Sequence, residues 1–161
     1  MRIGVVSDTH SKAIPRIVVD DFKKVDFIIH TGDFCTLKDL EFFSRIKEVK
    51  GVHGNMDDSE LRTLLPKQLF IEVEGVIVGI AHGGGAHSNI LNFIKKEFKD
   101  KETDVIVFGH SHHPMNEYIG STLYFNPGSC TDIIFAPYRS YGILEINNGK
   151  VQGKIIRIED E

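Results

Sequence analysis

Cysteine is scarce: the 161 residues include only Cys35 and Cys130, far apart and outside any Cys-x-x-Cys spacing. Reduced thiols in a cytoplasmic protein are the primary reading, and a disulfide is the alternative. No apolar run approaches the roughly 18 residues that suggest a membrane span. The N-terminus enters a strand almost at once with Arg2-Ile3-Gly4-Val5-Val6, and no charged region followed by an apolar run and cleavage site is present, so no secretory signal is expected. Repeats, low-complexity tracts and linkers are absent as well. Positive charge is in deficit, with 19 Lys and Arg against 23 Asp and Glu, a formal net charge of -4. No broad basic field therefore attracts nucleic acid, and no aromatic-basic groove is visible to bind a single strand. An anionic substrate stays open, because bound metal would make a site locally positive.

Hydrophobic residues make up 41% of the chain, enough for one sizeable core, and the expectation is a single domain over residues 1–161 with no cap domain. About two-thirds of the unfolded surface should be buried at this size. The first half alternates strand and helix. Residues 3–6 form a strand, and Ile14, Ile17, Val18 and Phe22 recur at helical spacing with Pro15 placed for a first turn. Residues 27–29 form a strand, and Leu37, Leu40, Phe43 and Ile46 mark one helix face, capped by Thr36 with Asp39 three residues on. A short strand over 49–52 and a short helix capped by Ser59, ending before Pro66, follow. The second half holds more strands. Residues 69–73 and 76–81 flank a turn at Glu74-Gly75; Ile90, Leu91, Ile94 and Phe98 predict a helix; residues 105–108 read as a strand buried on both faces. Strands over 123–125, 141–146 and 151–158 complete the set, the last two joined at Asn147-Asn148-Gly149. Early βαβ units and late hairpins predict an α/β protein with two mixed β-sheets packed together and helices outside. The acidic end, Glu159-Asp160-Glu161, reads as a solvated tail.

Five polar groups follow short apolar runs: Asp8-Thr9-His10, Gly32-Asp33, Gly54-Asn55, Ala81-His82 and Gly109-His110-Ser111-His112. Each sits where a strand ends, the place where functional groups collect in open α/β sheets. Donors separated by one residue, as in Asp8/His10 and His110/His112, can point the same way. One metal needs three or four donors, and Asp8, His10, Asp33, Asn55, His82, His110 and His112 are enough for two. This carboxylate, amide and imidazole set suits Mn, Fe, Co, Ni or Zn.

The order Asp-x-His, Gly-Asp, Gly-Asn, His, Gly-His-x-His resembles the calcineurin-like metallophosphoesterases over the whole chain. It is similar in particular to the small, cap-less bacterial and archaeal phosphodiesterases of the YfcE-type branch. Asn126-Pro127-Gly128-Ser129 and Pro137-Tyr138-Arg139-Ser140-Tyr141 resemble segments of that branch. The resemblance implies a four-layer αββα sandwich with two divalent cations, Mn foremost and Ni, Fe, Co or Zn as alternatives. It implies that Asp8, His10 and His112 hold the first metal, that Asn55, His82 and His110 hold the second, and that Asp33 bridges them. Asp33, Asn55 and His82 are accordingly the catalytic candidates. The implied reaction is hydrolysis of a small phosphodiester by in-line attack of a hydroxide bridging the two metals, which lie about 3.5–4 Å apart in such sites. The absence of an evident activated Ser or Cys nucleophile agrees. By the same analogy the chain forms a homodimer or homotetramer.

Two departures stand out. Many family members carry a His after the motif-three Asn that protonates the leaving oxygen; here that position is Met56, and Asp57 is expected to have lost the partner it would orient. Relatives commonly read His-Gly-His where this chain reads His82-Gly83-Gly84-Gly85, and His87, with Asn55, is the candidate phosphate contact in its place. His30 and His53 are either orienting or packed residues, and His113 reads as structural. Cys35 reads as a bystander thiol, Asn126-Pro127-Gly128-Ser129 as a turn, and the Lys95-Lys96 and Lys99-Lys101 charges as a solvated helix face. Two other functions are implied by the family. A retromer-coat relative has the same fold with a degraded centre and serves as a protein-binding scaffold, whereas every ligand position here retains a donor. A phosphomonoesterase is the third reading, against which stand Met56 and the lack of an Arg after Gly32-Asp33.

Overall fold

Alternation along the first strand sets the layering of the molecule. In the computed structural model, which describes residues 1–159, β1 (Arg2–Val6) turns Ile3 and Val5 to one face and Val6 to the other. Then come α1 (Arg16–Phe22), β2 (Phe27–His30), α2 (Leu37–Ser44), β3 (Val49–Gly51) and α3 (Ser59–Leu64). The parallel pairings β1–β2 and β2–β3 are those that helical crossovers permit. β4 (Gln68–Val73) and β5 (Val76–Ala81) form a hairpin whose turn residues, Glu74 and Gly75, both have positive φ. A 3-10 turn at His87–Asn89 leads into α4 (Ile90–Glu97), and β6 (Val105–Val107) then pairs in parallel with β5. β7 (Met115–Ile119) and β8 (Thr122–Asn126) form a second hairpin; β9 (Ser140–Asn147) and β10 (Lys150–Arg157) form a third, which returns to pair antiparallel with β1.

The result is two mixed five-stranded sheets, β10-β9-β1-β2-β3 and β4-β5-β6-β8-β7. Between them lies an apolar layer that includes Ile3, Val5, Ile29, Val78, Ile80, Val107, Phe125 and Leu144. Residues of opposite parity on the same strands cover the outer faces. Ile28, Tyr141 and Ile143 pack with Val18, Phe22, Phe43 and Leu61 of the first three helices, and Ile106 and Tyr124 pack with Ile94 and Phe98 at α4. This is the four-layer αββα sandwich expected from the sequence.

Several local expectations change. β7 was not expected, because Met115-Asn116-Glu117-Tyr118-Ile119 is a mostly exposed edge strand with no continuous apolar signal. Asp58, not Ser59, caps α3, its Oδ1 accepting from Leu61 N at 3.0 Å. Pro15 stands one residue before α1 rather than inside its first turn. The Thr36–Asp39 box is present: Asp39 Oδ2 accepts from Thr36 N at 3.1 Å and from Thr36 Oγ1 at 2.7 Å. Lys95, Lys96 and Lys99 are exposed, as a solvated face requires. Of the acidic end, Glu159 is exposed, and Asp160 and Glu161 lie outside the described residues.

The absence of a side chain at Gly4 lets α1 lie close to β1, because a Cβ there would stand 2.7 Å from two carbons of the buried Phe22 ring. Gly4→Ala is therefore expected to destabilise the fold by about 1–3 kcal/mol through overpacking. Urea unfolding checks this; a wild-type midpoint would contradict the packing described.

Candidate metal centre

The loops that leave β1 and β2 are zipped to each other. Asp8 N donates to Gly32 O at 3.0 Å, His10 N to Asp33 O at 3.0 Å, and Ser11 N to Phe34 O at 2.9 Å. In the other sheet, Gly109 N donates to His82 O at 3.0 Å. The two pairs of loops meet across the sandwich through His110 N, which donates to Asp8 Oδ2 at 3.0 Å, and through His82 Nδ1–H, which donates to Thr31 O at 2.8 Å. Gly109 permits this approach, since a Cβ on it would fall 2.0 Å from Ser7 Oγ.

Sharp reversals at the strand ends aim the polar side chains inward. Asp8, His10, Ser11, Asp33, Cys35, His110 and His112 all have positive φ, and the remaining non-glycine residues of that kind among those described, Glu74 and Asn148, sit in hairpin turns. Backbone of this kind is unfavourable for side-chain-bearing residues and clusters at functional sites.

The side chains singled out in the sequence come together in two groups. In the first, His10 Nε2 lies 3.3 Å from His112 Nε2, and His112 Nε2 lies 3.4 Å from Asp8 Oδ1. In the second, Asn55 Oδ1 lies 3.0 Å from His82 Nε2 and 3.3 Å from His110 Nδ1. Asp33 Oδ2 stands between the groups, 3.3 Å from His82 Nε2 and 3.8 Å from His10 Nε2. His87 is exposed at the rim, its ring 4.7 Å from that of His110 and 5.9 Å from that of His112.

The outward nitrogens of three ligand-candidate histidines, His82, His110 and His112, have oxygen acceptors. His112 Nδ1–H donates to Asp132 Oδ2 at 2.6 Å, and His110 Nε2–H donates to Gly85 O at 2.8 Å. His82 is held by Thr31 O, and His10 Nδ1 faces Cys35 Sγ at 3.8 Å. In the neutral rings this leaves lone pairs at His112 Nε2, His82 Nε2 and His110 Nδ1, turned toward the centre, which His10 Nε2 also faces. Lone pairs facing the amide oxygen of Asn55 repel it unless a cation or a proton lies between them. Donors about 2.1 Å from one tetrahedral cation stand roughly 3.4 Å apart, close to the separations found here. Asp8 Oδ1 adds a further sign: it is buried and accepts no hydrogen bond, although imidazole nitrogens stand 3.4, 3.8 and 3.9 Å away. The donor set therefore fits divalent cations.

The electrostatics agree. Burial alone would lower the pKa of His82, but the charges of Asp8 and Asp33 outweigh it and push the imidazole up to about 9. His112 is likewise lowered by burial and raised, to about 9, by Asp8 and then Asp132. Burial raises Asp8, yet His82, His112 and Ser7 hold its carboxyl well below the usual range. A cation held at this centre would compete with protons for the same imidazoles.

Asp132, Asp57 and Cys35 support the centre in ways the sequence did not show, and His30 is both of the things it was read as, orienting and packed. Asp132 fixes His112, and its carboxylate also accepts from the backbone of Ile134, Phe135 and Ala136. Asp57 has not lost its role: its Oδ2 accepts from Asp33 N at 3.0 Å and Gly54 N at 2.7 Å, and its Oδ1 from Cys35 N at 2.7 Å. His30, packed on Phe34 with ring centroids 3.5 Å apart, accepts from Gly32 N at Nδ1 and donates through Nε2–H to Thr9 Oγ1. Burial pushes its pKa down to about 3, so it joins the two loops as a neutral ring. Cys35 is more than a bystander because it contacts His10, although burial and then Asp33 push the thiol up to about 11, where it stays protonated. The Asn126–Ser129 turn also ties the loops together. Asn126 Nδ2 donates to Gly109 O at 3.0 Å, and Ser129 Oγ donates to Asp8 O at 2.9 Å. His113, read as structural, donates from Nδ1–H to Ser111 O at 2.7 Å.

Comparison with known proteins gives the same direction. The profile of the calcineurin-like phosphoesterase superfamily domain matches residues 1–149. A probable metallophosphoesterase of Methanocaldococcus jannaschii is 33% identical over 166 residues, covering 99% of this chain and 83% of its own. A phosphodiesterase of the same archaeon is 27% identical over 146 residues, covering 81% of this chain and 84% of its own. In fold, the chain is similar to zinc-complexed Vps29 of Entamoeba histolytica, with a TM-score of 0.75 at 23% identity over 98% of this chain and 99% of that one. With its strand-end donors converging across the sandwich, this chain belongs to the calcineurin-like phosphoesterase superfamily.

Proposed function

We propose that the chain is a metal-dependent phosphodiesterase acting on a small phosphodiester, with Asp8, His10 and His112 holding one divalent cation, Asn55, His82 and His110 a second, and Asp33 shared between them. The observation that carries this reading is the pair of donor clusters on either side of Asp33 Oδ2, with the outward nitrogens of His82, His110 and His112 fixed by acceptors. Mn is the leading candidate for the cation, with Ni, Fe, Co and Zn also suited to these donors. A cation pair held by these residues would supply Lewis acidity to phosphoryl oxygens and would lower the pKa of nearby water.

The chain's own residues set the geometry for that reaction. Ser7 Oγ and His110 N fix Asp8 Oδ2, which leaves Oδ1 for the first cluster. Met56 N donates to Asp33 Oδ1 at 2.8 Å, which leaves Oδ2 facing both clusters. His87 stands at the rim beside His110 and is placed to meet a phosphate oxygen. The Met56 side chain is 58% exposed and has no proton to give a leaving oxygen, while the Asp57 carboxylate beside it is committed to backbone donors. Leaving groups stable as anions, such as aryl oxides, are therefore favoured over alkoxides, which argues for diesters of this kind over alkyl monoesters. A pure scaffold role is disfavoured because every donor position retains a competent ligand atom. Both cysteines are free, in keeping with a cytoplasmic setting. Among the described residues no helix is long and apolar enough to cross a membrane.

Dialysis against a chelator is expected to abolish hydrolysis of bis(4-nitrophenyl) phosphate, and Mn(II) or Ni(II) to restore it. Hydrolysis indifferent to chelator would overturn the reading, as would a fully metal-loaded protein inert toward every phosphodiester. Asp132→Ala removes the acceptor that fixes the ring of His112 and is expected to weaken Mn(II) binding by about 10–100-fold, the usual loss for such partners. Calorimetric titration checks this; unchanged affinity would show that Asp132 serves only its own loop.

A further inference from the structure

The two flanks of the centre differ in chemistry. On the His110–His112 side lies a cavity of about 520 Å³ whose apolar lining is Ile90, Phe108, Pro114 and Met115, with His87, Ser88, Ser111 and His113 as its polar groups. Ser111 sits between the two histidines in the chain, and the His87 ring lies 4.7 Å from that of His110, so the cavity borders the centre. The opposite flank is a smaller hollow of about 190 Å³ beside Asn55 and His82, lined also by Arg62, Lys67 and Glu97. Arg62 is fixed there by bonds to Asn55 O and Asp57 O, and Lys67 pairs with Glu97 at 3.5 Å. An apolar group placed on that flank would have to displace water from charges; on the His87 flank it meets carbon.

We propose that the His87 flank is a subsite for one ester arm of the substrate and that it accepts an aromatic group. This inference rests on the phosphodiesterase reading above and deepens it by giving the substrate a direction, with its phosphate at the centre and its aromatic arm over Ile90, Pro114 and Met115. The volume lies within the range of pockets that hold small organic ligands, and the lining follows their usual pattern of apolar walls with a few polar groups. Nothing in the arm reacts. Its burial supplies affinity, and the polarity of the opposite flank prevents the reversed orientation. The subsite is assembled from the 3-10 turn at His87–Asn89, the start of α4, Phe108 just past β6 and the first residue of β7, so the edge strand that the sequence concealed supplies one wall.

The test compares phenylphosphonate with methylphosphonate, which share an anionic head and differ in the arm, by calorimetric titration of the Mn(II)-loaded protein. Removing the ring from water is expected to make phenylphosphonate bind roughly ten-fold tighter or more. Two variants fill the cavity from different sides without touching the centre: Met115→Trp, and Ser88→Trp at an exposed rim position. Each is expected to reduce the preference to about two-fold or less with methylphosphonate affinity kept, which also reports an intact fold. Equal affinities in the wild-type protein, or a preference that survives both variants, would overturn the proposal. A preference that behaves as expected in a protein inert toward phosphodiesters would leave the subsite standing and remove the hydrolytic reading instead.

Discussion

Two carboxylates, Asp8 and Asp33, are buried within reach of the same imidazoles, and the centre is organised around the positive charge they require. Burial alone would raise the pKa of both; instead both are held low, Asp8 by His82 and His112, and Asp33 by His82 and the Met56 backbone N–H. The same carboxylates raise the two imidazoles to about 9, so protons fill the role of counter-ion until metal replaces them. The outward bonds to Thr31 O, Gly85 O and Asp132 fix the rings so that their inward nitrogens can serve either occupant.

The sandwich brings these groups together. β1 with β2, and β5 with β6, are parallel neighbours at the middle of their sheets, so their carboxyl ends bring Asp8, Asp33, His82 and the His110–His112 loop to one seam. Left-handed backbone at the strand ends costs of order 1 kcal/mol or more per residue. The bonds from Asp57, His30, Asn126 and Ser129 hold the chain in that conformation. Gly109 allows the two sheets to meet without a side chain intervening. The similarity to Vps29 shows the architecture alone, and chemistry has to be argued from the donors it carries.

Much of this was legible in the chain. Strands buried on one or both faces leave apolar runs, and the donors follow those runs directly, so all seven ligand candidates could be named from sequence. What was hidden depends on partners distant in sequence or on surface-exposed structure. Asp57 reaches Asp33 N, 24 residues away, and nothing near Asp57 announces it. Asp132 is twenty residues from His112, and nothing in the intervening sequence marks the contact. β7 alternates too weakly to register because its outer edge faces solvent. Asp58 and Ser59 are both competent caps, and only the Leu61 amide distinguishes them.

The claim on which the account turns is that these donors hold a pair of cations, and counting them tests it most directly. After equilibration with Mn(II) and removal of the excess, elemental analysis with anomalous diffraction is predicted to find two ions per chain, one beside Asp8, His10 and His112 and the other beside Asn55, His82 and His110, with Asp33 touching both. A single ion, or ions bound away from Asp33, would contradict it.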